Sequence, residues 1–165
     1  IGPTHHLLDE LHQIVAKAYY HWFFLAQPAP FPETLIAADP DYFYQSCLLG
    51  WGAAKLEQFP ANQLQAYRLA WRNPETMRGM CEDYRAALIY DFDVDAMDLD
   101  RKLTCPALVL SGADGVMDQM FDMQSVWASR LEDMRHIAVR GGHFFVDQNP
   151  DETLTHLKGF LNTKP

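Results

Sequence analysis

The sequence is short of positive charge, of cysteine and of long apolar runs, and each shortage closes off a class of function. Thirteen lysines and arginines stand against 22 aspartates and glutamates, a formal net charge of −9. A nucleic-acid binder needs a basic face for the phosphates, so no nucleic-acid partner is expected, and an anionic membrane surface is disfavoured on the same ground. A small anionic substrate stays open, because a few local groups outweigh the global field at short range. The three cysteines, Cys47, Cys81 and Cys105, are widely spaced and odd in number. They make no CxxC pair and no Cys/His cluster, so neither a metal site nor any other cofactor is expected, and a reduced, cytoplasmic setting is the simplest reading. His5, His6 and His12 lack a third ligand at firm helical spacing and do not read as a metal site. No apolar run reaches the roughly 18 residues of a membrane-spanning helix. No basic start followed by an apolar run marks a signal peptide. Repeats and low-complexity segments are also missing.

What is present suits one domain with a real core. The chain has 165 residues, 48% hydrophobic and 13% aromatic, and its pattern changes near residue 100. Residues 4 to about 98 read as helices and turns. Thr4 can cap a first helix whose apolar positions Leu7, Leu8, Leu11, Ile14, Val15 and Ala18 keep helical spacing. Pro28, Pro30 and Pro32 stop it. Short helices are expected over 32–38, 40–50, 60–72 and 74–88, with Pro40, Pro60 and Pro74 in first-turn positions.

After the acidic run DFDVDAMDLD (91–100) comes CPALVLSG (105–112), an apolar run closed by Gly112, as in a strand covered on both faces. Residues 119–132 read as helix. RHIAVRGGHFF (135–145) begins as a strand and breaks at Gly141-Gly142. In NPDETLTHLKGFL, Asn149 stands as cap, Pro150 as first helical residue and Glu152 as partner in a capping box, with Leu154, Leu157 and Leu161 on one side. Met117, Met120 and Met123 read as packing residues, and His136 and His156 as structural or solvent-facing. The tail is therefore strand–helix–strand–helix, a unit of parallel sheets. Two parallel strands do not make a stable sheet alone. Either a partner supplies the rest, or the sequence is the later part of a larger α/β domain, and the second reading is the simpler.

Four segments in order, YHWFFLAQPAPFPETLI, DPDYFYQSCLLGW, MCEDYRA and GGHFF, resemble the fluoroacetate (haloacetate) dehalogenases of the α/β-hydrolase fold. The resemblance runs from Ile1 to about Leu161. It implies an α/β class architecture: a helical cap over residues 1–100, then the last strand–helix–strand–helix of the core over 101–165. It implies that the core's earlier strands, the nucleophilic aspartate, its neighbouring arginines and the triad acid would precede Ile1. By the same resemblance His21, Trp22 and Tyr84 bind the departing halide, His143 is the general base that activates water, and Trp51 lines the substrate pocket. A dimer through the cap is also implied. Many α/β hydrolases carry an acid in the turn after the penultimate strand; here that turn reads Gly112-Ala113-Asp114-Gly115, with Asp114 one place early and more simply a turn residue.

The implied chemistry is displacement of halide from carbon by a carboxylate, then hydrolysis of the ester by a water that His143 deprotonates. Imidazole, indole and phenol each offer a hydrogen-bond donor to a small, strongly hydrated anion. Three bonds at roughly 1.5–3 kcal/mol each would be a large share of catalysis if they strengthen as charge develops. Two other readings stand beside this one. A cap-bearing epoxide hydrolase would use Tyr19, Tyr20 or Tyr84 as donors. A hydrolase fragment without its nucleophile would be inactive alone, and would serve as an interaction module or need the missing amino-terminal core.

Overall fold

The computed structural model describes residues 13–162 (the Ile14 side chain excepted), so Thr4, Leu7, Leu8, Leu11, His5, His6 and His12 lie outside it. Helix α1 (Gln13–Ala18) is followed after a break at Tyr19 by α2 (Tyr20–Leu25). The helix thus ends three residues before Pro28, and Gln27 Nε2 donates to the Phe23 carbonyl beside that end. The prolines also start the next element: α3 (Phe31–Ala38) has Pro30 at its N-cap and Pro32 in its first turn. Helix α4 (Pro40–Leu49) is capped by Asp39, which accepts from the Tyr42 N–H at 3.0 Å. A single 3₁₀ turn (Leu56–Gln58) leads to α5 (Ala61–Trp71), where Pro60 is the N-cap rather than the first helical residue. Asn73 caps α6 (Pro74–Ala86) by accepting from Glu75 N–H.

Helix continues past residue 88, where the sequence pattern ends the last helix of this half. A π turn (Ala87–Asp91) carries α6 into α7 (Phe92–Met97), so much of the acidic run is helical. No proline or glycine interrupts it, and Arg130 pairs with Asp95 and bonds the Asp98 carbonyl. The core of this half joins Leu25, Ile36, Tyr44, Leu48, Phe59, Trp71, Met77 and Cys81. Arg85 ties α6 to α3 through Glu33 at 2.8 Å, and bonds the Gln27 carbonyl at 2.8 Å.

The second half contains β1 (Ala107–Gly112), α8 (Val116–Met120), α9 (Met123–Ala128), β2 (Met134–Val139), α10 (Phe145–Gln148) and α11 (Pro150–Leu161). The expected single helix over 119–132 is two, because the Asp122 carboxylate accepts from Gln124 and Ser125 N–H and starts a new one. The capping box at α11 is absent: Asn149 Nδ2 donates to the Arg140 carbonyl, and Glu152 accepts from Arg140 Nε instead. The strands pair in parallel, Ala107 with Met134 through Gly112 with Val139. Among the described residues the sheet has these two strands. Ala107 to Leu110 are half-buried rather than covered on both faces, and Leu154, Leu157 and Leu161 are exposed. His136 is structural, bonded to Ser111 Oγ at 2.7 Å. Met117 and Met120 pack against a cluster of Val15, Tyr19 and Trp22, joining the helical half to the sheet, and Met123 is buried.

The two halves also meet at glycines. A β-carbon on Gly142 would run into the Gly52 carbonyl, and one on Gly112 into the Gly142 carbonyl. Gly142→Ala should therefore lower stability by about 1–3 kcal/mol, the usual range for an overpacked site. Gly79→Ala, in mid-α6 with open space around it, should raise stability by about 0.5–1 kcal/mol. Urea unfolding midpoints of the two variants check both signs.

Candidate active site

A cavity of about 390 Å³ lies between the helical half and the loop after β2. Its wall includes His21 from α2, Tyr84 from α6, Trp51 from the turn after α4, and His143 with Phe144 from the turn after β2. The helical face of α4 supplies Tyr44, Cys47 and Leu48 at i, i+3 and i+4, and Trp51 continues that stripe at i+7. Four of the five residues singled out from the sequence therefore share one cavity. Trp22 does not line it; its buried ring meets Tyr84 edge-on at 5.5 Å, within the Val15 and Tyr19 cluster.

The rings are closely ordered. His21 and Trp51 stack at 4.2 Å and 12°. His143 meets the Trp51 ring edge-on at 4.7 Å, and Tyr84 meets His21 edge-on at 5.7 Å. Trp51 is thus held between the two histidines. Burial pushes the His21 pKa down to about 3, with His143 adding to the effect, and burial pushes His143 down to about 4. Both imidazoles are neutral at neutral pH, so each carries one donor and one acceptor nitrogen. Burial raises the Tyr84 phenol to about 12, which keeps it a donor.

Several buried polar atoms are left for something else to satisfy. His21 Nδ1, Trp51 Nε1 and the Tyr44 hydroxyl lack a hydrogen-bond partner among the described residues. Cys47 lies beside Trp51, but a buried neutral thiol is a weak acceptor. A native interior leaves few such groups, so three in one wall mark a ligand site.

The loop after β2 is clamped to the helical half. His143 N–H donates to the Gly52 carbonyl at 3.1 Å. Gln148 accepts from Gly142 N–H at 2.7 Å and donates to the Ala53 carbonyl and to Gln58. Asp147 accepts from the Tyr67 hydroxyl at 3.1 Å, with Gln63 bonded to both. Asp114 acts as a turn residue, accepting from Gly141 N–H at 3.2 Å. Among the described residues no carboxylate bonds the His143 ring, and no cluster of His, Cys, Asp and Glu could hold a metal. Nor is any described helix long and apolar enough to cross a membrane. The cavity's Tyr44, Trp71 and Met80 and the Gln148 clamp were not found from the sequence. Only the i, i+3, i+4, i+7 stripe through Trp51 signalled the first.

Both histidines have folded-state pKa values below the ordinary value near 6.5, so the unfolded chain binds more protons between the two. Stability should be full above about pH 6.5 and fall as pH drops toward about 4 and then about 3. Denaturant midpoints from about pH 7 down to about pH 5 check this, and His21→Gln and His143→Gln should each flatten the fall. A flat profile in the parent would contradict it.

No family model matches the chain. Comparison with curated proteins gives fluoroacetate dehalogenase from Burkholderia sp, 51% identical over 98% of this chain and 53% of that protein. A candidate α/β hydrolase from Nostoc sp PCC 7120 superposes with TM-score 0.94 and 38% identity, over 99% of this chain and 56% of the other. A candidate epoxide hydrolase from Pseudomonas aeruginosa superposes with TM-score 0.86 and 34% identity, over 98% and 54%. The chain spans about half the length of these relatives. Its helices and two-stranded parallel sheet fit the carboxy-terminal part of the α/β-hydrolase fold, and along nearly its whole length it is similar in sequence to fluoroacetate dehalogenase and in structure to α/β hydrolases.

Proposed function

We propose that the chain carries the halide pocket and the general base of a haloacetate dehalogenase, which converts fluoroacetate to glycolate and fluoride through an aspartyl ester. The observation that carries this reading is the convergence of His21, Trp51, Tyr84 and His143 on the wall of one cavity. The neutral imidazole of His21 and the phenol of Tyr84 offer donors to a leaving fluoride without a competing cation. The relative named fluoroacetate dehalogenase, similar along nearly the whole chain, supports the same substrate class. Trp22, behind Tyr84, enters as a third donor by resemblance.

His143 takes a proton from the water that attacks the ester. Its depressed pKa leaves it neutral and ready as a base at neutral pH. The attacking carboxylate, the arginines and the triad acid belong to an amino-terminal core that this reading requires, and the chain without them is inactive. A homodimer through the cap belongs to the same reading, supported by the exposed Ile89, Tyr90, Val94 and Met97.

An epoxide hydrolase is the second reading, favoured by the 34% identity to the Pseudomonas protein and by the half-buried phenol of Tyr84 on the cavity wall. Fluoride release from fluoroacetate by the chain joined to its amino-terminal core separates the two. The dehalogenase reading expects fluoride release, abolished by His143→Ala and lowered roughly 10²-fold or more by Tyr84→Phe with His21→Ala. Hydrolysis of styrene oxide without fluoride release would establish the second reading.

A further inference from the structure

Gln148 closes α10 five residues after His143, and its side-chain amide joins the histidine turn to the turn that follows Trp51. Its Oε1 accepts from Gly142 N–H at 2.7 Å, and its Nε2 donates to the Ala53 carbonyl and to Gln58 Oε1, both at 3.1 Å. Gln58 presents its oxygen there because the same Oε1 takes the Lys55 N–H at 2.7 Å. The Gln148 amide is therefore oriented, oxygen toward the histidine turn and nitrogen toward the helical half. A carboxylate of the same size would keep the Gly142 bond but face two oxygens with lone pairs. Methionine would make neither bond.

The turn that the amide holds is strained. Ala53 has φ of 51°, in the left-handed region that an L-residue enters at a cost. Such a conformation persists where its surroundings over-determine it, and it clusters at functional sites. From one side α4 pins the turn, with Gly52 N–H donating to the Cys47 carbonyl and Ala54 N–H to the Leu48 carbonyl, each at 3.0 Å. Gln148 pins it from the other side, through the Ala53 carbonyl. Held in this way, the turn aims the Gly52 carbonyl at His143 N–H and sets Trp51 edge-on to the imidazole at 4.7 Å.

We propose that Gln148 is a positioning residue for His143: by joining Gly142 to Ala53, its amide fixes where the imidazole stands against Trp51. The proposal rests on the dehalogenase reading for the step that depends on it. In that step the water oxygen bonds the ester carbonyl carbon and its proton passes to His143. The bond to the glycolate oxygen then breaks, and that oxygen takes the proton back. Halide has already left, so a displaced imidazole slows ester hydrolysis and spares the first displacement.

The first test needs no variant. The Gln148 Nε2 protons of the purified chain should exchange with solvent roughly two- to tenfold more slowly than those of a free glutamine amide, the usual effect of a hydrogen bond. Exchange at the free rate overturns the proposal. Next, Gln148→Glu and Gln148→Met should each unfold cooperatively in urea yet move the NMR shifts of the His143 ring protons, which lie within the Trp51 ring current. In the chain joined to its amino-terminal core, Gln148→Glu should lower kcat for fluoride release about ten- to a hundredfold, with KM changed less than about twofold. A burst of roughly one fluoride per chain should precede the slow phase. Parent ring shifts, or parent kcat, in a cooperatively unfolding Gln148→Glu overturn the proposal. Absence of fluoride release from the joined parent, with the His143 shifts displaced in both variants, refutes the dehalogenase reading alone and leaves the placement of His143 by Gln148 standing.

Discussion

The site depends on one close approach of backbone, where Gly52, Gly112 and Gly142 leave no room for a side chain. There the N–H of His143 bonds the Gly52 carbonyl. His143 and the turn that presents Trp51 are therefore one structural unit, although they stand 92 positions apart in the sequence. Gln148 repeats the clamp a turn later, spanning Gly142, Ala53 and Gln58, and the Tyr67–Asp147 bond adds a third tie. A long-range site survives thermal motion only when its parts are held from several directions, and these three ties do that.

The wall so built is unusual in its charge. The residues that line the cavity include no lysine or arginine, and the chain as a whole is negative. Its donors are neutral: two imidazoles, two indoles, three phenols and the Thr76 hydroxyl. Such a wall holds a free anion weakly, because nothing repays the lost hydration with full charge. It suits charge that develops on a leaving group during reaction, where fixed dipoles act without reorganising. The neutrality of His21 matters for the same reason, since burial beside His143 would make two cations repel.

Much of this was legible in the sequence, for identifiable reasons. Pro40 and Pro74 set helix starts because their missing N–H costs nothing there. The fold class followed from one apolar strand, one glycine break and a helix after each. His21, Tyr84, Trp51 and His143 were singled out through the segments that carry the resemblance, not through spacing, and the fold brings the four to one cavity. Local rules failed where tertiary partners outbid them. Glu152 left the capping box for Arg140, Asp122 cut one helix into two, and α7 ran through the acidic stretch where Arg130 drew in Asp95. Tyr44 and Gln148 were invisible because their meaning lies in what faces them across the cavity and the clamp.

The half-buried strands and the exposed leucines of α11 agree with a sheet that continues beyond the described residues. The account's central claim concerns the wall rather than the sheet: that His21 and Tyr84 hold a halide against Trp51. The most direct measurement is a chloride titration followed by the NMR shift of the Trp51 indole N–H. The account predicts a saturable but weak shift in the parent, absent in His21→Ala and reduced in Tyr84→Phe. A linear, unsaturating response in the parent, or a saturable one that survives His21→Ala unchanged, would contradict it.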